Sequence, residues 1–172
     1  MLKFPWRKTI VGAEFSVLFV CLGNICRSPT AEGIFRAAAA RDGVGERVHV
    51  ASAGVGDWHI GSPPDKRAIL AARRRGYDLA AIRGRRVAVD DFTKYGWILA
   101  MDDSNLRALI DMKPADFSGH LGLFLDFAPE SGVREVPDPY YGGPEGFDRV
   151  IDLVEQGTAG LLARLKTELL RR

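Results

Sequence analysis

Cysteine is scarce in this chain: Cys21 and Cys26 are the only two among 172 residues. Two thiols exclude a disulfide-built scaffold and fit a reducing compartment, so a cytoplasmic location is expected. Two cysteines alone cannot hold zinc, and His49, His59 and His120 stand in separate segments without ligand-like spacing. No metal site is expected. Strong charge of either sign is missing as well, with a formal net charge of +2. Nothing in that balance points to nucleic acid or to an anionic membrane surface. No run approaches the ~18 apolar residues of a membrane span. The opening residues 1–14 lack the apolar core and small-residue cleavage pattern of a secretory signal. They read as an N-terminal extension, ordered only where Phe4, Trp6 and Ile10 dock on the domain. Internal repeats and low-complexity stretches are absent too.

What remains is an ordinary globular composition, 47% apolar and 27% charged, long enough for one domain over residues 15–172. Phe15–Val20 is a short apolar run rich in β-formers that ends at a glycine-containing loop, as a buried strand does. Ser28 followed by Pro29 reads as a helix start, with the serine as cap and proline in the first helical position. That helix runs through Ile34 and Phe35 and stops before Gly43. Further strands are predicted at 47–52, 97–101 and 121–127. Further helices are predicted at 65–75, closed by Gly76, and at 103–112. A last helix carries Phe147, Val150, Ile151, Val154, Leu161, Leu162, Leu165 and Leu169 on one stripe. Gly157 and Gly160 weaken it slightly. Alternating strands and helices predict an α/β fold, a parallel sheet covered on both faces. Ligands in such sheets bind beyond the carboxyl ends of the strands.

The loop Cys21-Leu22-Gly23-Asn24-Ile25-Cys26-Arg27-Ser28 lies at that end of the first strand. Physically it is an anion cradle: backbone N–H groups converge, and the following helix adds the positive end of its dipole. Gly23 allows close approach, and asparagine is among the few other residues that tolerate a left-handed backbone. Donors that bind phosphate also favour a thiolate at the mouth of the cradle. Arg27 can hold two phosphate oxygens in its planar fork. Nucleophile and electrophilic clamp thus come from one loop, and Ser28 is placed to donate to the sulfur. A P-loop for nucleotides is disfavoured, because no glycine-lysine-serine/threonine ending follows.

VLFVCLGNICRSPTAEGIFR, MDDSN and PDPYYGG, in that order, resemble the low-molecular-weight protein tyrosine phosphatases from about Phe15 to the C-terminus. The resemblance implies a four-stranded parallel sheet, no cofactor, and hydrolysis of phosphotyrosine through a phosphocysteine intermediate. On the matching positions Cys21 is the nucleophile, Arg27 the phosphate clamp and Asp138 the general acid. Leu22, Gly23, Asn24, Ile25, Cys26 and Ser28 complete the phosphate loop. Ile25, Trp58 and Tyr140 match the walls of a deep cleft that selects a long aryl phosphate. Related enzymes that act on phosphoarginine carry threonine where this chain has Ile25. Ser52 matches a partner of the loop asparagine, and Asp102 matches an aspartate that caps the next helix and supports the loop. The resemblance further implies a protective Cys21–Cys26 disulfide, and it matches Tyr141 to a position sometimes phosphorylated. Phosphotyrosine proteins, a tyrosine kinase among them, are the implied partners, with inorganic phosphate as product and inhibitor.

One departure stands out. Ile82 occupies the position where the family often has a histidine that braces the asparagine, and Arg86 replaces a glutamine. The basic residues Arg73, Arg74, Arg75, Arg83, Arg85 and Arg86 read most simply as solvated faces rather than a docking surface. Two alternatives stay open. One is arsenate reduction on the same scaffold, although its thioredoxin-coupled forms need cysteines beyond Cys26. The other is a phosphate-binding relative without catalysis.

Overall fold

The computed structural model describes residues 13–171. Phe4, Trp6 and Ile10 of the expected extension lie outside them. Four strands are present, β1 (Phe15–Cys21), β2 (Val48–Gly54), β3 (Trp97–Ala100) and β4 (His120–Leu123). They form one sheet in the order β2-β1-β3-β4, and every neighbouring pair is parallel. Among the described residues the α-helices are α1 (Arg27–Arg41), α2 (Lys66–Arg74), α3 (Asp91–Lys94), α4 (Asp103–Met112) and α5 (Glu145–Leu170).

Alternation along β1 explains why both faces are covered. Phe15, Val17, Phe19 and Cys21 join the core built with α1, α2 and α5. Leu18 and Val20 join a second core with Phe92 of α3 and Leu109 of α4. Every residue of β1 is buried, so a polar residue there needs a partner, as the Ser16 hydroxyl finds in accepting from the Gly96 N–H at 3.0 Å. Phe19 packs edge-on against Phe124 at 5.0 Å and tilts against Phe35 at 5.8 Å. Among the described residues no helix is long and apolar enough to cross a membrane.

Three expectations need correction. The fourth strand ends at Leu123, and Phe124–Phe127 is a 3-10 turn. Its apolar residues are buried by packing under α5, where an ideal Cβ on Gly157 would lie 2.6 Å from the Phe124 ring and one on Gly160 1.7 Å from the Phe127 carbonyl oxygen. Ser28 is not a cap: the helix begins one residue earlier, and the Ser28 hydroxyl bonds to Cys21, Asn24 and Ala53 instead of to helix N–H groups. Pro29 accordingly falls third in the helix, still within the first turn, where its missing N–H costs little. The second strand runs on to Gly54, because parallel pairing with β1 continues to the Cys21–Gly54 register.

Part of the arginine-rich surface is paired with acids. Arg74 pairs with Asp148 at 3.2 Å, and Arg75 with Asp152 at 2.6 Å and Glu155 at 3.3 Å, joining α2 to α5.

Candidate active site

Cys21 is the last residue of β1, one of the two inner strands, and the chain turns at once into the loop that enters α1. The pocket at this end has a volume of about 320 Å³. Cys21, Cys26, Arg27 and Asp138 line it together with Leu22, Ile25, Trp58 and Tyr140.

Asn24 holds the loop in shape. It has φ of 56°, a left-handed backbone that costs roughly 1–2 kcal/mol outside glycine. Its side chain answers with three hydrogen bonds, each contributing about 1 kcal/mol net when buried. The Nδ2 group donates to Ser28 at 2.8 Å and to Ser52 at 3.0 Å, while Oδ1 accepts from the Arg85 N–H at 2.9 Å. Because a backbone N–H can only donate, it fixes which end of the amide is oxygen.

The protons of this network are then ordered in sequence. Glu32, buried in α1, accepts from the Ser52 hydroxyl at 2.5 Å and from Arg36 at 2.7 Å. With its proton committed to Glu32, Ser52 can only accept from Asn24. Ser28 likewise accepts from Asn24, so its own hydrogen goes either to Cys21 Sγ at 3.0 Å or to the Ala53 carbonyl at 3.3 Å. A thiolate at Cys21 favours the first. The Asn24 N–H also donates to Cys21 Sγ, at 3.3 Å. Glu32 and Arg36 were invisible as site residues in the sequence, since they read as a polar face of a helix.

The expected brace at position 82 is an isoleucine that is simply buried. Its place is taken by backbone. Residues 85–87 pair with Gly54 through Gly54 N–H to Arg85 O and Val87 N–H to Gly54 O, both 2.8 Å. Arg85 is anchored on Asp91 by two bonds of 3.0 and 3.1 Å, which aims its N–H at Asn24. Gly54 is needed there: a Cβ would sit 2.9 Å from the Leu22 carbonyl oxygen and 3.1 Å from the Asn24 nitrogen.

Arg27 is 2% exposed. Burying a guanidinium costs several kcal/mol unless it is paired and hydrogen-bonded. Nη1 donates to Asp102 at 2.5 Å and to the Val136 carbonyl at 3.0 Å, and Nη2 lies 3.6 Å from Asp138. Burial works against its charge, but Cys21, Asp102 and Asp138 more than compensate and raise its pKa. Asp102 serves twice, because its other oxygen caps α4 by accepting from the Asn105 N–H at 2.8 Å.

The sequence-proposed residues therefore gather at one place. Cys21, Arg27 and Asp138 share the pocket with Leu22, Gly23, Ile25, Cys26, Trp58 and Tyr140. Asn24, Ser28, Ser52 and Asp102 stand behind it in the bonds just described. His59 and Tyr141 also line the pocket. Cys26 is a free, buried thiol, pushed up to about 12 by burial first and then by Asp65 and Cys21.

The low molecular weight phosphotyrosine protein phosphatase family profile matches residues 16–171. A low molecular weight protein-tyrosine-phosphatase of Bacillus subtilis is 42% identical over 153 residues, covering 89% of this chain and 97% of its own. A protein tyrosine phosphatase of Entamoeba histolytica, solved with Hepes in its active site, superposes with a TM-score of 0.85 at 37% identity, covering 90% of this chain and 99% of its own. A Drosophila arginine phosphatase superposes with a TM-score of 0.82 at 28% identity, covering 87% and 97%. With a family profile spanning almost all the described residues and relatives at this identity over most of both chains, this protein belongs to the low-molecular-weight protein tyrosine phosphatase family.

Proposed function

We propose that the protein is a protein tyrosine phosphatase that works through a phosphocysteine, with Cys21 as nucleophile, Arg27 as clamp and Asp138 as general acid. The observation that carries this reading is the convergence of a β1 thiol, a buried guanidinium and a carboxylate from a distant loop on one pocket.

Nη1 of Arg27 is held by Asp102 and Val136, which leaves the Nη2 side for phosphate oxygens. The Cys21 thiolate attacks phosphorus, and the bond from phosphorus to the tyrosyl oxygen breaks. Asp138, as the carboxylic acid, gives its proton to the departing oxygen, a step typically contributing ~10²–10⁴-fold. Asp138, now carboxylate, takes a proton from water as that water attacks phosphorus. The S–P bond breaks, and the thiolate and inorganic phosphate are released. Ser28 and the Asn24 N–H donate to the sulfur in its charged form, which favours it both as nucleophile and as leaving group.

The fold alone does not choose the phosphorylated residue, since a Drosophila arginine phosphatase shares it. The pocket walls favour an aryl ester: Ile25, Trp58 and Tyr140 offer flat apolar surface to a tyrosyl ring. Phosphotyrosine proteins are then the partners, a tyrosine kinase among them, and phosphate is an inhibitor as well as a product. Free thiols at the site suit a reducing compartment such as the cytoplasm. The matching positions also make Cys26 the natural partner for a protective disulfide with Cys21.

The test is hydrolysis of a phosphotyrosine peptide by wild type, Cys21→Ser and Asp138→Ala. Cys21→Ser should show no turnover while still binding phosphate, and Asp138→Ala should lose about 10²-fold or more in kcat/KM. Turnover by Cys21→Ser at the wild-type rate would end the phosphocysteine reading.

A further inference from the structure

Asp138 lies 3.6 Å from Arg27 Nη2 and its neighbour Pro139 is buried, but few hydrogen bonds tie this stretch to the rest of the fold. Of the hydrogen bonds made by residues 138–142 among the described residues, that from the Tyr140 N–H to the Asp138 carboxylate, 3.0 Å, stays within the stretch. The one reaching another segment comes from Arg67, whose Nη1 donates to the Tyr140 carbonyl at 3.1 Å.

Arg67 is the second residue of α2 and is itself rigidly mounted. Its Nε and Nη2 grip both oxygens of Asp65 at 3.0 and 2.8 Å, the parallel two-bond fit of guanidinium to carboxylate. Its plane packs on Tyr140, 5.3 Å from the ring centre, and on Phe147 of α5, 4.7 Å away. Asp65 in turn caps α2, accepting from the Arg67 N–H, and its own N–H donates to the Ile25 carbonyl at 2.8 Å. Ile25 belongs to the phosphate loop. A continuous strut therefore runs from that loop through Asp65 and Arg67 to the acid-bearing loop.

An exposed ion pair contributes little to stability, and the Arg67 side chain is 44% exposed. What this pair supplies is geometry. Proton donation depends on the donor standing within hydrogen-bond reach of the leaving oxygen, and small misplacements cost rate steeply.

We infer that Arg67 is a positioning residue for proton transfer: anchored by Asp65 to the phosphate loop, it sets where Asp138 stands relative to Cys21. The inference rests on the reading of Asp138 as general acid. Arg67 touches neither phosphate nor sulfur in this scheme. Lysine does not replace it, because an ammonium lacks the fork that grips Asp65 and Tyr140 together.

The experiment compares kcat/KM for p-nitrophenyl phosphate and phenyl phosphate, a good and a poor leaving group, in wild type, Arg67→Ala, Arg67→Lys, Asp138→Ala and the Arg67→Ala/Asp138→Ala double variant. Arg67→Met keeps the apolar stem and serves if Arg67→Ala folds poorly. Arg67→Ala should lose about 10-fold on phenyl phosphate and less than about 2-fold on p-nitrophenyl phosphate, with phosphate inhibition unchanged. Arg67→Lys should lose nearly as much. In the Asp138→Ala background, removing Arg67 should add nothing further. Equal losses on both substrates, or a full further loss in the double variant, would overturn the role assigned to Arg67. If Asp138→Ala itself shows no dependence on the leaving group, the acid reading falls and this inference falls with it.

Discussion

The two sides of the pocket are built on opposite plans. On the phosphate-loop side the polar side chains are buried and bonded: Asn24 is 1% exposed, Arg27 2% and Ser28 0%, and each of these side chains has partners. The opposite side is open. Trp58 is 67% exposed, Tyr140 39% and Tyr141 89%. Loop shape and fold stability therefore depend on the same bonds on one side, whereas on the other a residue can matter to substrate while contributing little to the fold. Such a division suits the proposed chemistry, in which phosphate is constant and the rest of the substrate varies.

Asn24→Ala tests this division most severely. It strands the Arg85 N–H, removes the donor to Ser28 and Ser52 and places alanine at φ of 56°, so it should cost roughly 2–4 kcal/mol of stability and most of the activity. Chemical denaturation and turnover on the same sample measure both. Asn24→Gly should recover the backbone strain, about 1 kcal/mol, without recovering the rate. Trp58→Ala is the counterpart on the open side. Its KM for a phosphotyrosine peptide should rise roughly 3- to 10-fold, while the unfolding free energy stays within about 0.5 kcal/mol of wild type. A large stability loss there would abolish the contrast.

The effect confined to alkaline pH belongs to Cys26. Its folded-state pKa, about 12, lies above the unfolded value near 9.0, so the unfolded chain releases a proton over a range where the folded one keeps it. The contribution is complete below pH 9 and is lost as pH rises towards 12, at up to about 1.4 kcal/mol per pH unit. Denaturation of wild type and Cys26→Ala at pH 8 and pH 10.5 should show a steeper alkaline decline in wild type.

Local pattern revealed much of this architecture. Phe15–Cys21 is apolar but for Ser16 because both its faces are covered, and the cysteine-to-arginine loop carries its chemistry in consecutive residues. Legibility fails where a role depends on distant partners. Phe124–Phe127 has strand-like residues, yet the packing of α5 turns it into a 3-10 segment. Ser28 beside Pro29 looks like a cap until Cys21 and Asn24 are brought to its hydroxyl. Glu32 reaches Ser52 across 20 residues of sequence and Arg67 reaches Tyr140 across 73. At position 82 the family pattern pointed to a side chain, while the Arg85 main chain does the bracing, and no side-chain pattern reports a backbone N–H.

Gly157 and Gly160 deserve a different reading from the one their helix propensity gives them. In protein engineering, glycine to alanine inside a helix is a routine stabilising change, worth about 1 kcal/mol. In α5 that route is closed at both positions, because the new methyl would collide with the Phe124 ring at one and with the Phe127 main chain at the other. A 26-residue helix thus keeps two flexible residues as a condition of lying flat on the turn that ends β4. Consensus or design methods that score helices one residue at a time would flag these as errors and, in correcting them, would lift the helix off the core.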